Sequence, residues 1–303
     1  MSYPNSSLFR TDLALESLEM NRREARIADA LPGIESRETQ IEGFSVTTVQ
    51  VVSQTGAQTL GKPVGTYETL FLDGLMRREE DAFPRACRAL GSLVRSLLPQ
   101  AADAPVLVAG LGNRQITPDA VGPRAADYVI ATRHLTAHEP ALFASWRAVS
   151  AAIPGVLGQT GVETGEMLAG LVDTIRPAAV IAVDALAAGS LSRLTRTVQI
   201  SDAGIVPGSG VENARTALNR ETLGVPVIAV GVPTVVDGAT LAHELARTSG
   251  LSHDALHAPA HPMIVTTRDI DREVSDLSRL IGYALNLALQ PGLSLEEIDL
   301  YLS

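Results

Sequence analysis

Pro105-Val-Leu-Val-Ala-Gly110-Leu-Gly-Asn113, continued by Thr117-Pro-Asp119-Ala-Val-Gly-Pro123, reads as a strand, a tight turn and a helix start. Ala179-Val-Ile-Ala-Val-Asp184-Ala-Leu186 has the same opening form. Short runs of Val, Ile, Leu and Ala bounded by turn residues are strands buried on both faces of a parallel sheet. In an open α/β sheet the chemistry gathers in the crevice beyond the carboxyl ends of such strands. Asp119 and Asp184 are both expected just beyond strand ends. Two carboxylates in one crevice divide acid and base roles, which points to hydrolysis.

Working outward, the period from residue 105 is strand, helix, strand, helix. The first helix is expected to start at Thr117, with Thr as N-cap and Pro118 at the first helical position, and to run to about Thr132. A second spans Gly165 to Ile175 and stops before Pro177. Further strands are expected at 197–200 and 225–230, and a long amphipathic helix from Ile270 to Leu289. This alternation defines an α/β class with a doubly wound, mostly parallel sheet. Before it, residues 13–31 and 79–98 have helical spacing. Residues 41–73 are rich in β-branched residues around the turn Gly61-Lys-Pro-Val-Gly65 and read as an accessory β-hairpin or small meander.

Bulk composition bounds the function. The chain has 303 residues, 46% hydrophobic and 19% charged, an ordinary globular balance. Lys and Arg number 24 against 34 Asp and Glu, a net charge of −10, and aromatics are 4%. Phosphate backbones are bound by cations and bases by aromatic platforms, so nucleic acid is not an expected partner. Cys87 is the single cysteine, so no internal disulfide forms, which fits a reducing compartment. In its helical surroundings Cys87 reads as a buried thiol, and Trp146 as a packing residue. No apolar run reaches the ~20 residues of a membrane span, and the N-terminus lacks the form of a secretory signal. A cytoplasmic protein is expected.

Three constellations have competing readings. Gly110-Leu-Gly112-Asn113 after a strand has the start of a dinucleotide fingerprint, but Gln115 stands where a third glycine belongs. The same glycines serve equally to turn the backbone and bring Asp119 over the strand end. His253-Asp-Ala-Leu-His257 has the helical spacing of a zinc pair, with Pro259 soon after. A zinc peptidase using His253 and His257 predicts inactivation by chelator. A non-catalytic nucleotide-binding module predicts stabilisation by ligand. Finally, Pro207-Gly208-Ser209-Gly210 and Gly231-Val-Pro-Thr-Val-Val-Asp237 read as loops after strands, able to offer backbone N–H groups.

Long motifs in this chain resemble the germination protease family of spore-forming bacteria. They are Arg10-Thr-Asp-Leu-Ala-Leu-Glu16, Gly110-Leu-Gly-Asn113 with Thr117-Pro-Asp-Ala-Val-Gly-Pro123, and Gly158-Gln-Thr-Gly-Val-Glu-Thr-Gly165. Val183-Asp-Ala-Leu-Ala-Ala188, Gln199-Ile-Ser-Asp-Ala-Gly204 with Pro207-Gly-Ser-Gly210, and Gly231 to Asp237 complete the set. The resemblance implies an endopeptidase of atypical aspartic type, with a core similar to hydrogenase-maturation proteases, that starts degradation of small acid-soluble spore proteins. It puts the catalytic pair at Asp119 and Asp184; Gly110, Gly112, Asn113, Gly208, Ser209 and Gly210 are expected in supporting loops. The hydrogenase-maturation relatives hold a metal through carboxylates and a histidine, but no histidine here lies in a strand-end motif, so neither metal nor cofactor is expected. The resemblance also implies a self-processing zymogen, a homotetramer, and residence in the cytoplasm of the spore core. Asp12-Leu-Ala-Leu-Glu16 matches the family's cleavage pattern, so residues 1–12 are expected to be a propeptide cut between Asp12 and Leu13, leaving 13–303 as one peptidase domain. A helix N-cap at Thr11 or Asp12, with no processing, is the competing reading. The chain departs from the family at Gly189-Ser190, where a basic residue is expected.

Overall fold

A computed structural model describes residues 10–24, 31–99, 104–209, 215–250 and 263–303. Among these residues nine strands form one sheet. They are β1 (Ile34–Ile41), β2 (Phe44–Val51), β3 (Gly65–Phe71), β4 (Val106–Gly110), β5 (Val149–Ala152), β6 (Ala179–Ala188), β7 (Thr197–Ser201), β8 (Val227–Asp237) and β9 (Ile264–Val265). The order across the sheet is β1-β2-β3-β7-β8-β6-β4-β5, with β9 beside β8. β5, β4, β6 and β8 run parallel, while β7, β3, β2 and β1 extend the sheet antiparallel. The α/β class with helices on both faces is as the alternation predicts. The β-rich segment expected at 41–73 starts earlier, at Ile34, and forms a wing of the same sheet.

Seven helices matter for the site: α1 (Ala14–Glu24), α2 (Gln54–Leu60), α3 (Ala82–Leu97), α4 (Val121–Asp127), α5 (Thr164–Ile175), α6 (Gly238–Thr248) and α7 (Ile270–Leu289). α3, α4 and α7 bury one face of the parallel strands, over Val106, Val108, Ile181, Val183, Ile228 and Val230. α5 covers the other, over Leu107, Ala109, Val180 and Ala182. Alternate residues of each strand go to opposite faces and both faces are covered, so the strands read as continuous apolar runs. α1 and α2 rest on the wing through Ala14, Leu15, Leu18, Val49, Val51 and Tyr67. Cys87 is buried between α3 and α7, and burial pushes its thiol up to about 12. Trp146 packs edge-on to Phe143 and Tyr301.

Three expectations are corrected. The segment from Thr117 is a 3₁₀ turn, Thr117–Asp119, without a side-chain cap, and α4 runs only from Val121 to Asp127. It ends there because Asn286 of α7 takes over the backbone: its amide donates to Tyr128 O and its Oδ1 accepts from Ile130 N–H. The stretch Gly231 to Asp237 is the second half of β8, not a loop. Pro233 is tolerated because the β6–β8 register shifts opposite it, between Leu186 and Ala187. Asp184, third, lies within β6 rather than past its end.

Candidate active site

The site exists because two neighbouring strands have different lengths. β4 stops at Gly110, opposite Val183 of β6, while β6 continues to Ala188 against β8. Asp184 is the first residue of β6 past that stop. Its side chain is therefore at a carboxyl-end crevice although its backbone is mid-strand. Leu111 N–H donates to Val183 O at 2.8 Å, and the chain then turns away.

Asp119 is brought back over this point by close backbone packing. A Cβ on Gly122, in the first turn of α4, would lie 2.3 Å from both Leu111 O and Val183 O. Gly112 has φ +108, and a Cβ there would lie 2.1 Å from Asp119 O. Only glycine fits either position. Asn113 N–H then donates to Asp119 Oδ2 at 2.7 Å. Thr234 Oγ1 of β8 donates to Pro118 O at 2.7 Å and fixes the 3₁₀ turn from the far side. Gly110 and Gly112 thus serve backbone packing and the placing of Asp119.

Asp119 and Asp184 line one cleft of about 440 Å³ with Leu111, Leu186 and Thr234. That volume is in the range of small-molecule and peptide side-chain sites. Burial pushes the Asp119 carboxyl above the usual carboxylate range, against the Asn113 N–H bond. Asp184 is buried and pushed well above that range, first by burial and then by the charge of Asp119, with its bond from Ala185 N–H opposing. Two coupled carboxylates out of water take up one proton before they take up two negative charges.

The cleft also receives the chain's own N-terminal segment. Asp12 lines it, and its backbone N–H donates to Ala187 O at 2.9 Å. Its carboxylate accepts from Ala187 N–H at 2.8 Å and from Ser209 Oγ. Leu13 is wholly buried with Leu186, Ala188, Leu194 and Val236. Gln199 of β7 donates to Asp12 O at 3.2 Å and accepts from Ala14 N–H at 2.7 Å. Glu16 accepts from Gly189 N–H at 2.6 Å and Ser190 N–H at 3.1 Å. Burial raises its carboxyl above the usual range, against these bonds and Arg193. Lys62 donates to Thr11 O at 2.9 Å, and burial lowers its ammonium against the charges of Asp12 and Glu16. Where the family resemblance leads one to expect a basic residue at 189–190, two backbone N–H groups hold a carboxylate instead.

Of the residues singled out in the sequence, Asp119, Asp184, Asp12, Gly112 and Gly208 line this cleft, and Ser209 touches Asp12. Asn113 bonds Asp119. Residues 1–9, Gly210, His253 and His257 lie outside the described residues. Among the described residues no group of three or more His, Cys, Asp or Glu could hold a metal ion, and no helix is long and apolar enough to cross a membrane. Sequence reading missed Lys62, Gln199 and Glu16 as contacts. Glu16 and Gln199 stood inside quoted motifs, but only the fold shows what they touch.

A doubly wound sheet with a buried and a half-buried carboxylate, coupled and facing a cleft beyond its parallel strands, has the form of an α/β enzyme site. The model of the germination protease family matches residues 14–247. The germination protease of Caldanaerobacter subterraneus subsp. tengcongensis is 41% identical over 96% of this chain and 97% of its own length. That of Clostridium perfringens is 36% identical over 97% and 99%, and that of Clostridium acetobutylicum likewise 36% over 97% and 99%. The chain belongs to the germination protease family and is a peptidase of spore germination.

Proposed function

We propose that this chain is an endopeptidase of atypical aspartic type that starts the degradation of small acid-soluble spore proteins, made as a zymogen that cuts itself between Asp12 and Leu13. The observation that carries the reading is the coupled pair Asp119 and Asp184 in a cleft that also receives Asp12. Asp184, the more deeply buried, holds the shared proton, and Asp119 is the base. Asp119 takes a proton from water as the water oxygen attacks the scissile carbonyl. Asp184 donates its proton to the carbonyl oxygen. The C–N bond of the tetrahedral intermediate then breaks: the leaving amine takes the proton held by Asp119, and the C=O bond re-forms as one hydroxyl returns its proton to Asp184. Residues 1–12 are the propeptide and 13–303 the peptidase domain. The working protein is a homotetramer in the cytoplasm of the spore core.

Several features support this reading. The segment Asp12 to Glu16 is held along its length, acid by acid, as a bound peptide would be. The competing helix-cap reading has one bond in its favour, from Leu13 N–H to Thr11 Oγ1 at 3.0 Å, but α1 begins only at Ala14, whose N–H is held by Gln199. The deciding experiment follows intact mass and N-terminal sequence of the purified chain over time, beside Asp119→Asn and Asp184→Asn, with and without chelator. A Leu13 terminus in the parent chain alone, chelator or not, is expected. Cleavage persisting in both variants would end the aspartate mechanism.

A further inference from the structure

The amide of Gln199 straddles one residue, Leu13. Its Nε2 donates to the carbonyl oxygen of Asp12 and its Oε1 accepts from the N–H of Ala14. Those two groups flank Leu13, so a single side chain holds the carbonyl oxygen of the Asp12–Leu13 bond and the N–H of the next peptide. Gln199 is buried and lies on the same row of the sheet as Asp184: Gln199 is opposite Gly231 of β8, and Gly231 is opposite Asp184 of β6. Residues paired across a sheet share a face, and two strand spacings put their backbones roughly 10 Å apart. The residue between them is glycine, whose missing side chain is replaced by Leu186: a Cβ there would lie 2.4 Å from Leu186 Cδ1. Asp12 lines both the Asp184 cleft and the cavity that contains Gln199.

We infer that Gln199 is the donor that holds and polarises the scissile carbonyl oxygen while the aspartate pair delivers water to its carbon. This rests on the self-processing reading above and adds a residue to it. The oxygen that accepts from Gln199 is the one that gains charge when water adds to the carbonyl. A fixed donor there is worth most in a water-poor site. No proton leaves Gln199: it gives a hydrogen bond, the proton for the oxygen comes from Asp184, and the amide returns unchanged. Its second bond, from Ala14 N–H, fixes the amide orientation so that the NH₂ faces the carbonyl.

The test uses the full chain with Gln199→Glu and Gln199→Leu, and reads self-cleavage together with cleavage of an added synthetic peptide of residues 6–20. Protonated Glu offers one O–H donor and one C=O acceptor, the pattern of the Gln amide. Ionised Glu offers no donor. Asp12, Lys62 and Tyr67 line the same cavity, and Asp184 and Glu16 are the nearby acids, so each variant is compared with the parent chain at the same pH. Gln199→Leu is expected to lower kcat by about 10²-fold at every pH, with KM little changed. Gln199→Glu is expected to match it at neutral pH and to recover toward the parent rate in mild acid. Melting curves establish that both variants fold, and Gln199→Asn serves if Leu does not. Two results overturn the assignment: variants that cut the peptide at the parent kcat, or Glu and Leu variants equally slow at every pH with the loss in KM, as a simple tether gives. If the parent chain cuts neither itself nor the peptide between Asp12 and Leu13, it is the self-processing reading that fails, and the role of Gln199 with it.

Discussion

The parallel centre and the antiparallel wing are parts of one sheet, yet they are built to different rules. In the centre, β4, β6 and β8 are buried on both faces, and their polar residues cluster where β4 stops. In the wing, β1 exposes nearly every side chain from Glu35 to Gln40, and its inner strands hold α1 and α2. The difference separates tasks. The centre supplies the low-dielectric ground that raises Asp119 and Asp184. The wing supplies the surface on which the chain's own N-terminal helix rests. The Asp12–Leu13 bond lies on the border: Asp12 is bonded to Ala187 of the centre, while Ala14 packs in the wing cluster.

The sharpest way to break this division is to neutralise the centre's acids. Asp184→Asn and Asp119→Asn should each lower turnover on the 6–20 peptide by about 10²–10⁴-fold, measured as initial rates. Near-parent rates in either variant would move the chemistry out of the centre. Next in size is packing. Ile181→Ala, in the wholly buried middle of β6, should destabilise the fold by about 2–5 kcal/mol, read from urea unfolding midpoints at constant slope. A loss under about 1 kcal/mol would mean that the centre can collapse around a void.

The same acids also sharpen the comparison through pH. Their folded-state affinities for protons are raised above those in the unfolded chain. Such groups favour folding below the ordinary carboxylate range, and that contribution is lost as pH rises through the raised folded values. Asp184→Asn should therefore melt a few degrees higher than the parent at neutral pH, with the gain fading as pH falls into the acid range. A gain that persisted at low pH would trace to something other than the buried charge. The smallest effect belongs to the wing's edge: Glu38→Ala, at an exposed position on β1, should change stability by less than about 0.5 kcal/mol.

What the sequence made legible follows from the same division. α7 is read from Ile270 to Leu289 and found with those bounds, because its apolar face is continuous. β4 and the first half of β6 were legible because strands buried twice over have no alternative pattern. The second halves of β6 and β8 were not. Asp184, Pro233 and Asp237 look like strand-ending residues, and only the neighbours' pairing and the shift opposite Pro233 keep those strands going. β5 was unread, being four residues with mixed exposure. Both aspartates were legible as candidates, but their coupling comes from Gly112 and Gly122 letting two backbones touch. The contacts of Gln199, Lys62 and Glu16 join residues far apart in sequence, and no local pattern announces such pairs.

β6 past Val183 has lost β4 as a neighbour, and at Ala187 both its N–H and its C=O are taken by Asp12. A strand with main-chain groups free on one side is a place where a foreign extended chain can add itself. Here the added chain is tethered to the same molecule by a few residues, so it competes at a local concentration that a free peptide can hardly match. Any other polypeptide that is to lie along this edge must first see the native segment leave it. The stop of one strand at Gly110 thus sets a contest between an internal and an external guest, and the internal one begins with the advantage.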